Sequence, residues 1–599
     1  MLKSIKSLIK SMLDFFNRRR GRFLLLSFIP VFILTVAFLR LIKIQIVDHD
    51  SYMAEATKLR VKSHTLYAKR GQIYFKSGAT GIVPAVLNER TWLIFVDPSY
   101  VADKNKVQVE LGKILGEQMI TTWDKVWADM SVGYVPVAKH VDYETVTKVK
   151  AANLQGVGQQ ETSKRIYPQG TMAAQVLGFV NGEGVGSGIE GSMNERLSGK
   201  DGLLKTVTDV NSIPLSIGDD NIEVKAQNGE DIVLTIDENV QRKAETVLKN
   251  NVDGSNGVVR NASVVILNPN NGQVMAMANY PTYNPEEYYK VTDASVFTNR
   301  VTELAYEPAS VCKPFTYAAA INEGKINLDS TYYNAGYTKV DDRIIRNARG
   351  TEGQVGTRNF WQALDYSLNT GSIEVLRKIG DGKISKAART TLYNYLYNGF
   401  GLGHKTGIEL YEEHGTIISP DDKSGEGNAV RYANMTFGQG MNLTMIQVAA
   451  GFASLVNGGQ YYQPTIIAGS LQNGKLVPAE QKLATHTSIS AETSATMRKM
   501  LQSVRKANNG ANYDLKGYNI GAKTGTAETY DENGRYTSDR TMVGTIGYGS
   551  SKKEGELPQY VILVRVDGNA QLWGASNAMP IFNQLSNFML EYLRIEPVI

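Results

Sequence analysis

Glu307-Pro308-Ala309-Ser310-Val311-Cys312-Lys313-Pro314-Phe315 sets a serine and a lysine three residues apart where a helix begins. Pro308 precedes the start, and Pro314 falls in the first turn, where its missing N–H costs little. Phe315, Ala318, Ala319 and Ile321 continue an apolar helical face, and Gly324 is a stop signal. The i, i+3 spacing puts Ser310 and Lys313 side by side on one face. A lysine is normally protonated at neutral pH. Burial and neighbouring cations lower its pKa, and it can then take the proton of a serine hydroxyl.

Serine and lysine at this spacing recur at Ser7/Lys10, Ser503/Lys506 and Ser550/Lys553, so the pair alone selects nothing. What separates Ser310 is an order of motifs. Ser367-Leu368-Asn369 follows, and then Lys523-Thr524-Gly525-Thr526. Together these three are the signature of penicillin-binding proteins and class A β-lactamases. A second Lys-Thr-Gly at Lys405-Thr406-Gly407 precedes a helix-rich region instead of lying on a late strand, and is set aside.

The 599 residues allow roughly three or four domains. Seven of the basic groups lie in residues 1–22 against one acid, Asp14, leaving the remaining body at −1 within a chain total of +5. The basicity is therefore a tail, and the body offers no global pull on nucleic acid. With Cys312 as the one cysteine, no intrachain disulfide forms. The six histidines show no paired ligand spacing, so neither a metal nor a cofactor is expected.

Phe23 to Leu39 is 17 residues without a charge, at the short end of a membrane span. Arg40 and Lys43 can snorkel, so residues 23–47 are read as an uncleaved anchor; Arg40-Leu41-Ile42-Lys43 is no cleavage site. The basic cluster (1–22) stays cytoplasmic and everything beyond lies outside, which predicts a single-pass protein of the plasma membrane.

Residues 48–228 alternate short β-rich runs with polar turns, for example Thr91–Val96 and Gln175–Val180, with a loop near 181–191. Ser192-Met193-Asn194 mimics the second motif but lies upstream without partners, and reads as surface chemistry. From 229 onward, Ile232–Ile236 is a strand and Glu238–Leu248 a helix. Ser263–Leu267 and Val274–Ala278 flank a Pro269–Gly272 turn, a strong hairpin signal. Helices are expected at Phe360–Tyr366, Ser372–Ile379, Met445–Val456 and Ile581–Leu593, and strands at Ile520–Thr526, Thr541–Tyr548 and Tyr560–Val566. Strands at both ends with helices between predict an α+β domain, one antiparallel sheet packed on helices.

The chain resembles class B penicillin-binding proteins, the bitopic peptidoglycan D,D-transpeptidases of the division type, along nearly its whole length. Arg70-Gly71-Gln72-Ile73-Tyr74 resembles the start of that family's pedestal domain. Gly188-Ile189-Glu190-Gly191 and Leu197–Gly202 resemble its end. Leu234-Thr235-Ile236-Asp237 with Gln241 resembles the start of the transpeptidase domain (229–599), and Phe437-Gly438-Gln439-Gly440 with Thr444 and Gln447 a stretch between the second and third motifs. Three positions depart. Phe75 stands where the family usually has aspartate, Ala309 replaces a glycine with slight crowding expected, and Cys312 beside the nucleophile is expected to be a buried packing residue.

The resemblance implies that Ser310 attacks the bond between two terminal D-alanines and that Lys313 is its general base. Ser367 would relay a proton to the leaving amine, and Asn369 would hold the substrate backbone and the lysine. Lys523 would favour a neutral Lys313 and attract the substrate carboxylate. Thr524, Gly525 and Thr526 would line the substrate, the N–H groups of Ser310 and Thr526 forming the oxyanion hole. It implies stem peptides and β-lactams as ligands, septal synthesis, and a membrane-embedded glycan polymerase and other cell-wall proteins as partners. D,D-carboxypeptidases and β-lactamases carry the same motifs, and a β-lactam sensor or scaffold is the non-enzymatic alternative. The anchor and long pedestal favour the transpeptidase.

Overall fold

The computed structural model describes the chain except residues 1, 18, 53–60, 182–183, 208–221, 349, 423–427, 531–535, 570 and 599. Arg18 of the basic tail and residues 182–183 of the loop expected near 181–191 lie outside the described residues. The chain divides into two compact units, Met1–Ala68 with Lys200–Asn228, and Lys69–Gly199 with Gly229–Ile599.

The first unit carries the apolar helix. Leu2–Asn17 is followed by Arg19–Ile42, with Pro30 inside and a π-helical turn at Lys43–Val47. Its stretch Phe28–Val47 has a mean hydropathy of 2.0 and no buried share; it is the one helix among the described residues long and apolar enough to cross a membrane. Strands Val61–Leu66, Gly202–Val207 and Ile222–Val224 form a small antiparallel sheet.

The second unit holds two larger sheets. The first is fully antiparallel, in the order Val274–Tyr280, Val259–Leu267, Tyr560–Gly568, Tyr536–Ser551 and Tyr518–Tyr530. Helices Glu238–Asp253 and Met579–Tyr592 bury their apolar stripes on one face, where Val240, Ala244, Val247, Phe582, Leu585 and Met589 meet Val264, Ile562 and Val564. Helices Lys313–Asn322 and Met445–Val456 share the core cluster of the opposite face. The α+β architecture expected from the sequence is present.

The second sheet has Lys475–Pro478, Ile467–Gln472, Ile232–Asp237, Ile73–Ser77, Gly81–Val96 and Val135–Val141 in order, with Val157–Ile166 also on Gly81–Val96. It contains one parallel pair, Ile73–Ser77 with Ile232–Asp237. Phe75 is fully buried there, an apolar core residue. Two of the quoted stretches meet in a buried ion cluster: Glu190, wholly buried, takes Arg70 Nε at 2.8 Å and Arg165 Nε at 2.8 Å. Asn194 Oδ1 accepts from Arg70 at 2.6 Å and Ser192 donates to the Glu409 carbonyl at 2.9 Å, so Ser192-Met193-Asn194 is an internal tie, not surface chemistry.

Other expectations are corrected. The run Gln175–Val180 begins as a helical turn, Ala174–Leu177, not a strand. Its four residues are buried on every side, and such a run carries no period to tell helix from strand. Ala491–Ala507, capped by Ser490, is a helix not expected from the sequence, although Met497, Met500, Leu501 and Val504 keep a helical spacing.

Candidate active site

Ser310 does not sit on the helix it was expected to open. It lies in a 3₁₀ turn, Ala309–Cys312, and the α-helix begins at Lys313, whose N–H donates to the Ser310 carbonyl. In a 3₁₀ turn residues i and i+3 eclipse, so the spacing still stacks serine over lysine. Ser310 is half-buried, whereas Lys313 is wholly enclosed.

The turn is clamped from the other side. Tyr306 and Leu443 exchange backbone hydrogen bonds at 2.9 and 2.8 Å, the Ala309 amide donates to the Gly438 carbonyl at 2.9 Å, and the Gly440 amide donates to Glu307 Oε1 at 2.8 Å. Phe437-Gly438-Gln439-Gly440 is therefore the cradle of the serine turn. Ala309 has φ +52°, in the left-handed region, so its departure from glycine is felt in the backbone.

Ser367 joins the other two motifs. It stands at φ +56° between the helices Phe360–Asp365 and Asn369–Ile379, an uncommon conformation for serine that turns the chain sharply toward the lysines. Lys313 Nζ reaches Ser367 Oγ at 3.1 Å and Lys523 Nζ reaches the same oxygen at 2.9 Å. Lys313 also bonds the Ser367 carbonyl, and Lys523 the Thr524 carbonyl at 3.0 Å. A hydroxyl has two acceptor positions and one proton, so with both acceptor positions occupied Ser367 keeps its proton for a third partner.

Both amines are out of water. Burial pushes the Lys313 ammonium well below the usual lysine range, and the charge of Lys523 adds to the effect. Burial brings Lys523 down to about 7, with Asp365 pulling the other way. Enclosure thus disfavours the charged form of both amines.

Asn369 was expected to hold the lysine. Its amide donates instead to the Arg346 carbonyl at 3.0 Å, which ties the second motif to the hairpin strand Arg343–Arg346. Lys523-Thr524-Gly525-Thr526 lies within Tyr518–Tyr530, the edge strand of its sheet, which leaves one row of its backbone groups outside the ladder. A Cβ on Gly525 would stand 2.9 Å from the Pro308 carbonyl oxygen and 3.1 Å from Val311 Cγ1, so the missing side chain lets this strand lie against the serine turn. Thr526 is exposed, and its hydroxyl accepts weakly from the Gly574 amide at 3.4 Å.

Lys405-Thr406-Gly407 is elsewhere and structural: Glu412 accepts from the Thr406 amide at 2.7 Å and the Gly407 amide at 3.1 Å. Cys312 is buried and its thiol is pushed up by burial alone, as befits a packing residue. Among the described residues no group of His, Cys, Asp and Glu is arranged to hold a metal. Sequence reasoning missed Asp365 and Ser503 behind the lysines. Asp365 carried a signal, a carboxylate two residues before Ser367; Ser503 had none, because its partner lies 138 positions away.

Two family models match, the penicillin binding protein transpeptidase domain over residues 262–587 and the penicillin-binding protein dimerisation domain over residues 65–234. Stage V sporulation protein D of Bacillus subtilis is 29% identical over 591 residues, covering 97% of this chain and 86% of that protein. Peptidoglycan D,D-transpeptidase FtsI of Escherichia coli is 25% identical over 584 residues, covering 94% and 91%. Among solved structures, a peptidoglycan synthetase from Bifidobacterium adolescentis superposes with a TM-score of 0.68 at 21% identity, covering 90% of this chain and 98% of that one.

Proposed function

Since the chain belongs to the penicillin-binding protein transpeptidase family, we propose that it is a serine D,D-transpeptidase that cross-links the stem peptides of bacterial peptidoglycan, in septal synthesis. The observation that carries this reading is the meeting of two buried lysines at the Ser367 hydroxyl, one 3₁₀ turn from Ser310.

Lys313, as the free amine, accepts the Ser310 proton while Oγ attacks the carbonyl carbon between two D-alanines. The carbonyl becomes an oxyanion held by the N–H groups of Ser310 and Thr526, each donor worth about 3 kcal/mol in such reactions. As the C–N bond breaks, the proton passes from Lys313 through Ser367 to the departing D-alanine amine. An acyl ester on Ser310 remains. The amine of a second stem attacks that ester, gives up its proton by the same relay and releases Oγ. Lys523 and Thr526 hold the donor's terminal carboxylate, Thr524 and Gly525 form the strand edge along which it lies, and Asn369 supports its backbone.

Four segments divide the labour: a cytoplasmic tail (1–22), an anchor (23–47), a pedestal (48–228) that sets the reach of the site, and the transpeptidase domain (229–599). The seven basic groups before the apolar helix favour a cytoplasmic N-terminus and an external catalytic domain. Protease added to wall-stripped cells is expected to degrade the body; protection of the body with loss of the tail would reverse this orientation. A membrane-embedded glycan polymerase is the expected partner, supplying strands to cross-link.

A β-lactam presents a strained amide to Ser310 and keeps its leaving group tethered, so the ester persists. Labelled penicillin should mark the full chain one-to-one at Ser310, and Ser310→Ala should abolish the mark. A mark that survives Ser310→Ala but is lost in Cys312→Ser overturns the mechanism, and rapid release of opened drug identifies a hydrolase instead.

A further inference from the structure

Between the helix Lys313–Asn322 and the second motif the chain forms two small antiparallel ribbons, Thr331–Asn334 with Gly356–Asn359 and Tyr337–Val340 with Arg343–Arg346. The second ribbon ends at Arg346-Asn347, and both residues bond to the second motif. The Arg346 carbonyl accepts from Asn369 Nδ2 at 3.0 Å, and Asn347 Oδ1 accepts from the Thr370 amide at 2.9 Å. Asn347 Nδ2 donates to Asn334 Oδ1 at 3.0 Å, and the Asn347 amide donates to the Gly336 carbonyl at 2.9 Å. Asn334 is wholly buried. Its Oδ1 also accepts from the Thr370 hydroxyl at 2.9 Å and from the Gly336 amide at 3.0 Å, and its Nδ2 donates to the Gln354 carbonyl at 2.7 Å. The amide and the hydroxyl of Thr370 are thus both held by asparagines, which stand 23 and 36 positions upstream.

The helix Asn369–Ile379 needs this help. Its N-cap position is Leu368, whose side chain cannot accept a hydrogen bond, so the helix supplies no side-chain cap of its own. First-turn amides left in that state must find acceptors elsewhere. Asn347 is the cap, delivered from outside the helix. Ser367 stands just before this start at φ +56°, a conformation that persists only where the surroundings over-determine it. From one side they do: the Ser367 amide donates to the Leu364 carbonyl at 3.0 Å, the Leu368 amide donates to the Ala363 carbonyl at 2.9 Å, and Lys313 bonds the Ser367 carbonyl. From the other side the nearest fixed point is Thr370, held by Asn347. The target is narrow, because Ser367 Oγ has its two amines at 3.1 and 2.9 Å, and a displacement of roughly 1 Å takes such a bond beyond hydrogen-bonding range.

We propose that Asn347 is a positioning residue for acylation: by capping the helix at Thr370 and bracing it on Asn334, it keeps the Ser367 hydroxyl between the amines of Lys313 and Lys523. The proposal rests on the reading of Ser310 as the acylated serine and of Ser367 as the proton relay. It assigns Asn347 no contact with substrate. Without the cap, the start of the helix loosens and Ser367 relaxes toward ordinary backbone, which swings Oγ off the amines. Proton transfer then slows, while the groups that hold the donor's carboxylate, on the edge strand, stay where they are.

The test is acylation of the full chain by fluorescent penicillin, followed by rapid mixing over a range of drug concentrations, well below each variant's unfolding midpoint. Asn347→Ala and Asn347→Leu lack the cap. They should lower the rate at saturating drug by about 10- to 10²-fold, the cost of a misplacement of roughly 1 Å, and keep the half-saturating concentration within about threefold of wild type. Asn347→Asp retains an oxygen for the Thr370 amide and should bring the rate back to within about threefold. In a Ser367→Ala background the hydroxyl is already gone, so Asn347→Ala should cost no more than about twofold further, since residues that act as a unit are not additive. An equal loss in both backgrounds, an aspartate variant as slow as the alanine one, or a change confined to the half-saturating concentration overturns the proposal. Ser367→Ala that acylates at the wild-type rate overturns the relay and this inference with it. Failure of both cap-free variants to fold overturns it too and assigns Asn347 to stability. Wild-type protein that takes no label at Ser310 refutes the proposed function; label with Asn347→Ala at the wild-type rate refutes only this inference.

Discussion

Ala309 and Gly438 hold each other through their backbones: the Ala309 amide donates to the Gly438 carbonyl at 2.9 Å, and a Cβ on Gly438 would lie 2.1 Å from the Ala309 carbonyl oxygen. Gly438 itself sits at φ +81°. Two features of the sequence, the turn before Ser310 and a glycine 129 positions downstream, are thus one contact. Gly438→Ala must move the backbone that carries the nucleophile, and is expected to abolish penicillin labelling at Ser310 even at temperatures where circular dichroism reports a folded chain.

Ala309→Gly tests the same contact from its other partner. An alanine at positive φ is strained by about 1–2 kcal/mol relative to glycine, and glycine gives back about 0.4–1 kcal/mol through the greater freedom of its unfolded chain. A net gain of roughly 0.5–1 kcal/mol is expected, read as a small rise in the midpoint of thermal unfolding. A fall of similar size would show that the left-handed turn is not strained.

The two enclosed lysines set stability against activity. Lys523 is held at about 7 against a usual 10.5, so between those values the native state binds fewer protons than the unfolded chain. On this account stability rises with pH from about 7 toward 10.5, and the cost of burying the amine is fully felt below it. Lys523→Met removes that cost and should stabilise the fold near pH 7 by about 1–3 kcal/mol in denaturant unfolding, while slowing acylation by about 10² or more. Loss of stability in this variant would show that the bonds to Ser367 and Thr524 outweigh desolvation.

Glu190 is the opposite case, a buried charge whose two partners make it indispensable. Glu190→Ala leaves Arg70 and Arg165 without their carboxylate, and such a loss costs about 3–5 kcal/mol. Thermal unfolding should drop accordingly. The hydrogen bonds of Arg70, Arg165 and Glu190 reach no residue of the three motifs, so labelling of Ser310 well below the new midpoint should keep the wild-type rate.

A fragment of residues 229–599 should still take the penicillin label, because the five-stranded sheet and all three motifs lie within it. It also loses Ile73–Ser77, the neighbour of Ile232–Asp237, and so exposes an apolar strand edge. Lower solubility and a lower unfolding midpoint than the full chain are expected. An unchanged midpoint would mean that the parallel pairing adds no stability.

Much of the fold was legible because its signals are local. The hairpin at Val259–Leu267 and Val274–Tyr280, the late strands and the closing helix follow from period and turn chemistry over a dozen residues. The turn at Ala174–Leu177 was not legible, since burial on all sides removes the alternation that distinguishes the two periods. The helix Ala491–Ala507 carried a local signal as well, its apolar spacing and its Ser490 cap.

The sequence by itself determined which residues could do chemistry. A serine, two lysines and a second serine in a fixed motif order are covalent facts, and their spacing survives even where the expected α-helix is a 3₁₀ turn. Only the tertiary structure decided what those residues are. Lys313 and Lys523 are 210 positions apart in the chain, and nothing local says that both will be dry or that both will reach Ser367 Oγ. Nor does local sequence say that Asn369 will turn to Arg346. Protonation depends on burial and on charges brought near by folding, and those are properties of neighbours in space.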